Sequence, residues 1–110
     1  MRLSLPLCSA ILLIAVASPG TAQETGEILR GQILASTCFT CHGTDGISPG
    51  AIPSVSGIPA ESLRRSLQEF RDGRRPSTVM GRHATGYSDE DIASIAAYLS
   101  RVSQEPRHDR

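Results

Sequence analysis

The sequence predicts one small all-α domain built on three main helices. Three observations carry that expectation. Three stretches repeat their apolar residues near a helical period, two long segments rich in glycine and proline separate them, and no strand–helix–strand pattern occurs. The 110 residues allow one domain at most, since domains usually run to ~100–200 residues. Eleven basic residues, all of them arginine, balance eleven acidic ones. A chain of zero formal charge lacks the basic excess of a nucleic-acid binder.

Residues 1–22 read as a targeting segment rather than as part of the fold. Arg2 supplies a positive start, residues 11–17 (ILLIAVA) an apolar core, and Pro19 and Gly20 break it. Gly20-Thr21-Ala22 then offers small residues for cleavage after Ala22, with Ala17 as the alternative point. The run is too short and wrongly flanked for a membrane span, although an uncleaved anchor is the competing reading. A lipoprotein site at Cys8 fits poorly, because the apolar run follows that cysteine. The expectation is an exported, periplasmic domain of residues 23–110 with no transmembrane span after cleavage. Without Arg2 it carries ten arginines against eleven acids.

Within that domain the first helix is expected over 25–38, where Ile28, Leu29, Ile33 and Leu34 recur near a helical period. Residues 43–59 hold four glycines and three prolines and read as a loop. A second helix starts near Pro59 or Ala60, a favoured slot for proline, and runs to about Asp72. Leu63, Leu67 and Phe70 share its apolar face. Residues 73–87 form a second loop. Ser88 then caps a third helix whose Asp89, Glu90 and Asp91 suit the positive end of the dipole. Ile92, Ile95, Ala96 and Leu99 make its buried stripe, Pro106 lies past its end, and the tail after Ser103 reads as frayed. With only four aromatics in 88 residues, so small a chain buries little surface, and something besides side chains is expected to complete its core.

The chemistry lies in Cys38-Phe39-Thr40-Cys41-His42. CxxCH is the attachment pattern of c-type haem: each thiol adds across a vinyl group, and the adjacent imidazole reaches the iron. The other readings are weaker. A zinc site needs two further well-spaced ligands, and the exported chain has no other cysteine. A thioredoxin-like pair belongs after a strand. A plain disulfide leaves His42 unexplained. For the second axial position the candidates are Met80, the one methionine of residues 23–110, and the rivals His83 and His108, or an open site. Met80 sits among small and polar neighbours in a loop, an odd setting for a methionine used only in packing.

The order of targeting segment, helix, CxxCH, Gly/Pro loop, helix, methionine loop and C-terminal helix resembles the class I cytochromes c. Residues 77–88 (STVMGRHATGYS), with Cys41-His42-Gly43-Thr44 and Gly46, look like the cytochrome subunits of flavocytochrome c sulfide dehydrogenases. Some of those are dihaem, whereas this chain has one CxxCH and corresponds to a monohaem form. The resemblance implies a small class I fold of three main helices wrapped around one covalently bound haem c. It implies Cys38 and Cys41 as thioether donors, and His42 and Met80 as axial ligands of the haem iron. It also implies that the Pro53 carbonyl accepts a hydrogen bond from His42, the alternative being a proline that only stiffens its loop. Gly31 would let the first helix approach the third near Tyr98. The implied function is electron transfer with no catalytic residues, so the chain is not an enzyme alone. The implied partner is the FAD-containing flavoprotein subunit of a sulfide dehydrogenase. A free shuttle serving other periplasmic redox proteins is the alternative reading, and a haem-based ligand sensor a more distant one. Six arginines between 64 and 82, against Glu69 and Asp72, read either as a docking face or as a solvated helix surface.

Overall fold

The computed structural model describes residues 20–102. The targeting segment, apart from residues 20–22, lies outside them, as do His108 and the tail after Ser103. Among the described residues the architecture is all-α with no strand. Five helices follow in order: α1 (Gly20–Ala35), α2 (Phe39–His42), α3 (Ala60–Arg71), α4 (Met80–Ala84) and α5 (Asp89–Val102). Short 3₁₀ turns at Ser36–Cys38 and Thr44–Gly46 flank α2. No helix among the described residues is long and apolar enough to cross a membrane.

Helix α5 is the element on which the others pack. Ile92 and Ile95 are fully buried, and Ala96 and Leu99 nearly so, with Ala35 of α1 and Leu63 and Leu67 of α3 completing the core. The start of α5 is closed reciprocally: the Asp91 N–H donates to Ser88 Oγ and the Ser88 N–H to Asp91 Oδ2, both at 3.1 Å. Arg30 of α1 adds an ion pair to Asp91 at 2.6 Å. The Ser88 N–H first, and Arg30 second, hold the Asp91 carboxyl below its ordinary range. A lowered carboxylate stabilises the fold above its ordinary range, and that contribution is lost as pH falls through the lowered value.

Helix α3 matches its sequence signals closely, with Pro59 as its N-terminal cap and Asp72 as its last cap. Its end is a Schellman turn. The Arg74 N–H donates to Glu69 O at 2.9 Å and the Gly73 N–H to Phe70 O at 3.2 Å.

Helix α1 departs from its expected stripe. Leu29 is 55% and Ile33 72% exposed, while Gly31, Ala35 and Cys38 are the buried positions. The cause is the depth of the crossing. A Cβ at residue 31 would run into the Ser94 carbonyl of α5 and lie 2.8 Å from Tyr98 Cβ. The helices therefore meet along their smallest residues, and the larger aliphatics flank the line of contact. Helix α1 is also already helical at Gly20, five residues before the expected start at Thr25. Arg101 of α5 pairs with Glu24 there at 2.6 Å.

The remaining differences are local. The first helical stretch runs past Cys38, through a 3₁₀ turn, as far as His42. Residues 73–87, expected as loop, contain α4, which a five-residue segment with two polar side chains and a glycine does not announce as a period.

Gly31→Ala tests the crossing. Alanine is the better helix former by about 1 kcal/mol, yet the forced separation of α1 from α5 outweighs that gain. A net loss of about 1–2 kcal/mol is expected from overpacking, read as a lower denaturation midpoint of the cofactor-loaded protein. An unchanged or higher midpoint contradicts the close crossing.

Candidate functional site

The candidate residues cluster where α1 gives way to the first loop. The chain turns through Ser36–Cys38 and then α2, which places Cys38 on the buried side and leaves Cys41 exposed; the two thiols are not bridged. Burial pushes the Cys38 thiol above its ordinary value, against smaller hydrogen-bond contributions that lower it.

His42 ends α2 and is 92% removed from solvent, being 8% exposed. Gly43 is what allows the chain to leave the helix there. It adopts φ +85°, and a side chain at this position would also run into the Ile47 carbonyl. The loop then folds back on itself. Val55 and Ser56 both donate to Gly46 O, at 2.8 and 3.1 Å, the Ser48 N–H donates to Ser54 Oγ at 2.8 Å, and the Gly57 N–H reaches Leu99 O of α5 at 2.9 Å. These bonds bring the Pro53 carbonyl to 2.6 Å from His42 Nδ1. A carbonyl only accepts, so Nδ1 carries the hydrogen. The neutral ring then keeps its lone pair on Nε2, the form in which histidine binds a metal.

Met80 opens α4, half-buried against the core. The Gly81 N–H donates to Ser77 Oγ at 2.8 Å, and Ala84, fully buried, anchors the short helix. His83, the rival donor in this segment, has its ring engaged elsewhere. Thr37 Oγ1 gives its hydrogen to Leu34 O at 2.9 Å, so the Tyr87 hydroxyl, 2.7 Å away, donates to Thr37. His83 Nε2 faces both of these oxygens at 3.4 Å. Its ring meets Tyr87 edge-on at 5.5 Å. Sequence reasoning did not single out Thr37 or Tyr87, because a hydroxyl pair fifty residues apart leaves no local pattern.

The donor set suits haem c. It comprises two unbridged thiols one helical turn apart, an imidazole oriented through Nδ1, and a thioether in a separate segment. No group of three or more His, Cys, Asp or Glu side chains able to hold a bare metal ion occurs among the described residues.

Comparison with known proteins agrees with this chemistry. The profile of the family "Cytochrome c" matches residues 28–103. The chain is 49% identical over 76 residues to the cytochrome subunit of sulfide dehydrogenase of Chlorobaculum tepidum, covering 69% of this chain and 69% of that protein. It is 44% identical over 84 residues to cytochrome c-554(548) of Halomonas halodenitrificans, covering 73% of this chain and 99% of that one. Cytochrome c4 of Pseudomonas aeruginosa is 36% identical over 90 residues, 81% of this chain but 45% of the relative, so the chain spans about half the length of that protein.

Replacing the thiols tests the attachment. Cys38→Ala or Cys41→Ala should leave at most one thioether and move the reduced visible absorption maximum to longer wavelength. The double variant should be mostly cofactor-free and largely unfolded, since the cofactor binds only the native state and fills much of a small core. Well-dispersed NMR spectra from the double variant would contradict this.

Proposed function

We propose, from the premise that this chain belongs to the cytochrome c family, that it is the periplasmic haem subunit accepting electrons from a sulfide-oxidising flavoprotein. Members of this family bind haem c covalently and transfer electrons, and the size of this chain fits one haem. Residues 23–110 form the working domain, exported behind the segment 1–22. The chain is an electron carrier and not an enzyme by itself.

The role of each side chain follows from its setting. Cys38 and Cys41 hold the cofactor covalently. His42 would supply an imidazole nitrogen to the haem iron, and Met80 a thioether sulfur. Haem supplies the one-electron chemistry. The single observation that carries this assignment is the 2.6 Å hydrogen bond from His42 Nδ1–H to the Pro53 carbonyl. It fixes the ring's rotation and tautomer and makes Nε2 a stronger donor. Soft, neutral sulfur favours ferrous iron and raises the reduction potential. Held through both His42 and Met80, the haem would exchange electrons without binding a substrate at its iron.

The flavoprotein partner is supported by the Chlorobaculum tepidum relative, which is itself a sulfide dehydrogenase subunit. A second reading, a free shuttle, is favoured by the Halomonas halodenitrificans cytochrome, whose length this chain spans almost fully. The surface narrows where a partner would dock. Of the six arginines between 64 and 82, Arg64 pairs with Glu61 at 2.7 Å, Arg71 with Asp89 at 2.8 Å and Asp72 at 3.2 Å, and Arg74 with Asp72 at 3.0 Å. Arg75 donates to Ser66 at 2.8 Å and lies over the Phe70 ring at 4.7 Å. The Arg65 and Arg82 side chains are exposed. Among the described residues neither guanidinium makes a hydrogen bond or ion pair, although Arg65 lies near enough to Glu61 to help lower its carboxyl. Those two are the cations available to a partner.

Two experiments test these assignments. Met80→Ala should abolish the near-infrared sulfur-to-iron charge-transfer band of the oxidised protein and lower the potential, whereas His83→Ala should keep the band. A wild-type protein without the band, or a band that survives Met80→Ala, overturns the Met80 assignment. Separately, Arg65→Glu with Arg82→Glu should slow reduction by a sulfide-oxidising flavoprotein by about three- to ten-fold at low salt, with the potential nearly unmoved. A rate equal to wild type at low ionic strength, with the flavoprotein still reducing the cytochrome, places docking elsewhere. No reduction of wild type by the flavoprotein, alongside ready exchange with other redox proteins, favours the free shuttle.

A further inference from the structure

The segment carrying Met80 is held from two sides in different ways. Towards α3 it is packed: Ala84 is fully buried, and Arg71 Nη1 donates to Tyr87 O at 3.4 Å. Towards α1 it depends on side-chain hydrogen bonds. Among the described residues, every hydrogen bond from 77–87 to α1 or to the attachment turn ends on Thr37. Thr37 directly precedes Cys38, so this junction ties the methionine segment to the start of the cysteine motif. Helix α4 has five residues, too few to hold its own position without such ties. Thr78 and Val79, just before Met80, are exposed, and Val79 is 61% exposed.

The strength of the junction lies in the Tyr87–Thr37 bond, 2.7 Å long, while the two approaches of His83 at 3.4 Å are weak. The direction of donation is fixed, because the only hydroxyl hydrogen of Thr37 is already given to Leu34 O. We infer that this bond is a latch closing the Met80 segment against the attachment turn, which makes Thr37 and Tyr87 positioning residues for the Met80 sulfur. The inference rests on the reading of Met80 as the iron ligand. Opening the latch frees α4 to swing about its contact with α3, so an outside donor competes more easily for the position the sulfur holds. In that exchange one nitrogen–iron bond forms and one sulfur–iron bond breaks, with no change of oxidation state.

Imidazole is the probe. Thr37→Val keeps the shape of the side chain and removes its oxygen, and Tyr87→Phe removes only the hydroxyl. Both oxidised, haem-loaded variants should keep the near-infrared band in the absence of imidazole. Both should lose it at about three- to five-fold lower imidazole than wild type, the factor one net hydrogen bond of ordinary strength corresponds to. The double variant should match either single one, because each removes the same bond. Thr37→Ser, which retains a hydroxyl, should titrate like wild type. Amide exchange at His83 and Thr85, whose N–H groups bond Val79 O and Gly81 O, should quicken by a similar factor in the first two variants. Unmoved imidazole midpoints with lowered global stability would show a merely structural contact and overturn the latch, as would additive effects or unchanged exchange. Wild-type protein without the band has a different fault: it removes Met80 from the iron and overturns the ligand reading on which the latch stands.

Discussion

The crossing of α1 over α5 at Gly31 is the contact from which the rest of the site is hung. The Ser94 carbonyl occupies the space where a side chain at residue 31 would be, so α1 lies directly on the backbone of α5. That fixes the height at which Cys38 and His42 leave the end of α1. The same α5 receives the Gly57 N–H at Leu99 O and so holds the far end of the loop that presents Pro53. Histidine and carbonyl come from separate segments, yet both are referred to one helix. In a chain with few large core residues, a close backbone crossing gains van der Waals contact where side-chain bulk is lacking.

The two cysteines occupy different environments although they are one turn apart. Cys38 faces the core and is disfavoured as a thiolate, whereas Cys41 is open to solvent. The asymmetry follows from the turn between them, which carries one side chain inward and the other outward. Beyond it, His42 is inward again. Gly43 then ends the helix at once, so the imidazole is the last side chain the helix positions and the first one the loop can reach.

Charge is arranged with the same economy. Counting arginines against acids within residues 64–82 suggests a strongly basic face, but Glu61 and Asp89 lie just outside that window and take up Arg64 and Arg71. Exposed pairs of this kind contribute little to stability. Their effect is to order side chains and to cancel the field over most of α3. The guanidinium groups left without an ion pair or hydrogen bond among the described residues of this stretch are those of Arg65 on α3 and Arg82 on α4.

Three helices, their approximate ends and the CxxCH chemistry were legible in the sequence because each rests on local rules. Proline opens α3, Ser88 and Asp91 close the start of α5, and attachment needs two thiols and an imidazole at fixed spacing. Met80 stood out by elimination and by its neighbours, and Pro53 and Gly31 only through family resemblance. Tertiary structure decided the rest. Leu29 and Ile33 follow a helical period yet face outward, since the face α1 presents is chosen by how deeply Gly31 lets it sit on α5. Helix α4 forms where no period predicts one, under the support of α3 and the Ser77 cap. The hydrogen bond between Thr37 and Tyr87 joins residues fifty apart, and no spacing rule reaches that far. Local patterns determine what a segment prefers to be; which of its faces is used, and which distant hydroxyl it meets, are set only when the helices pack.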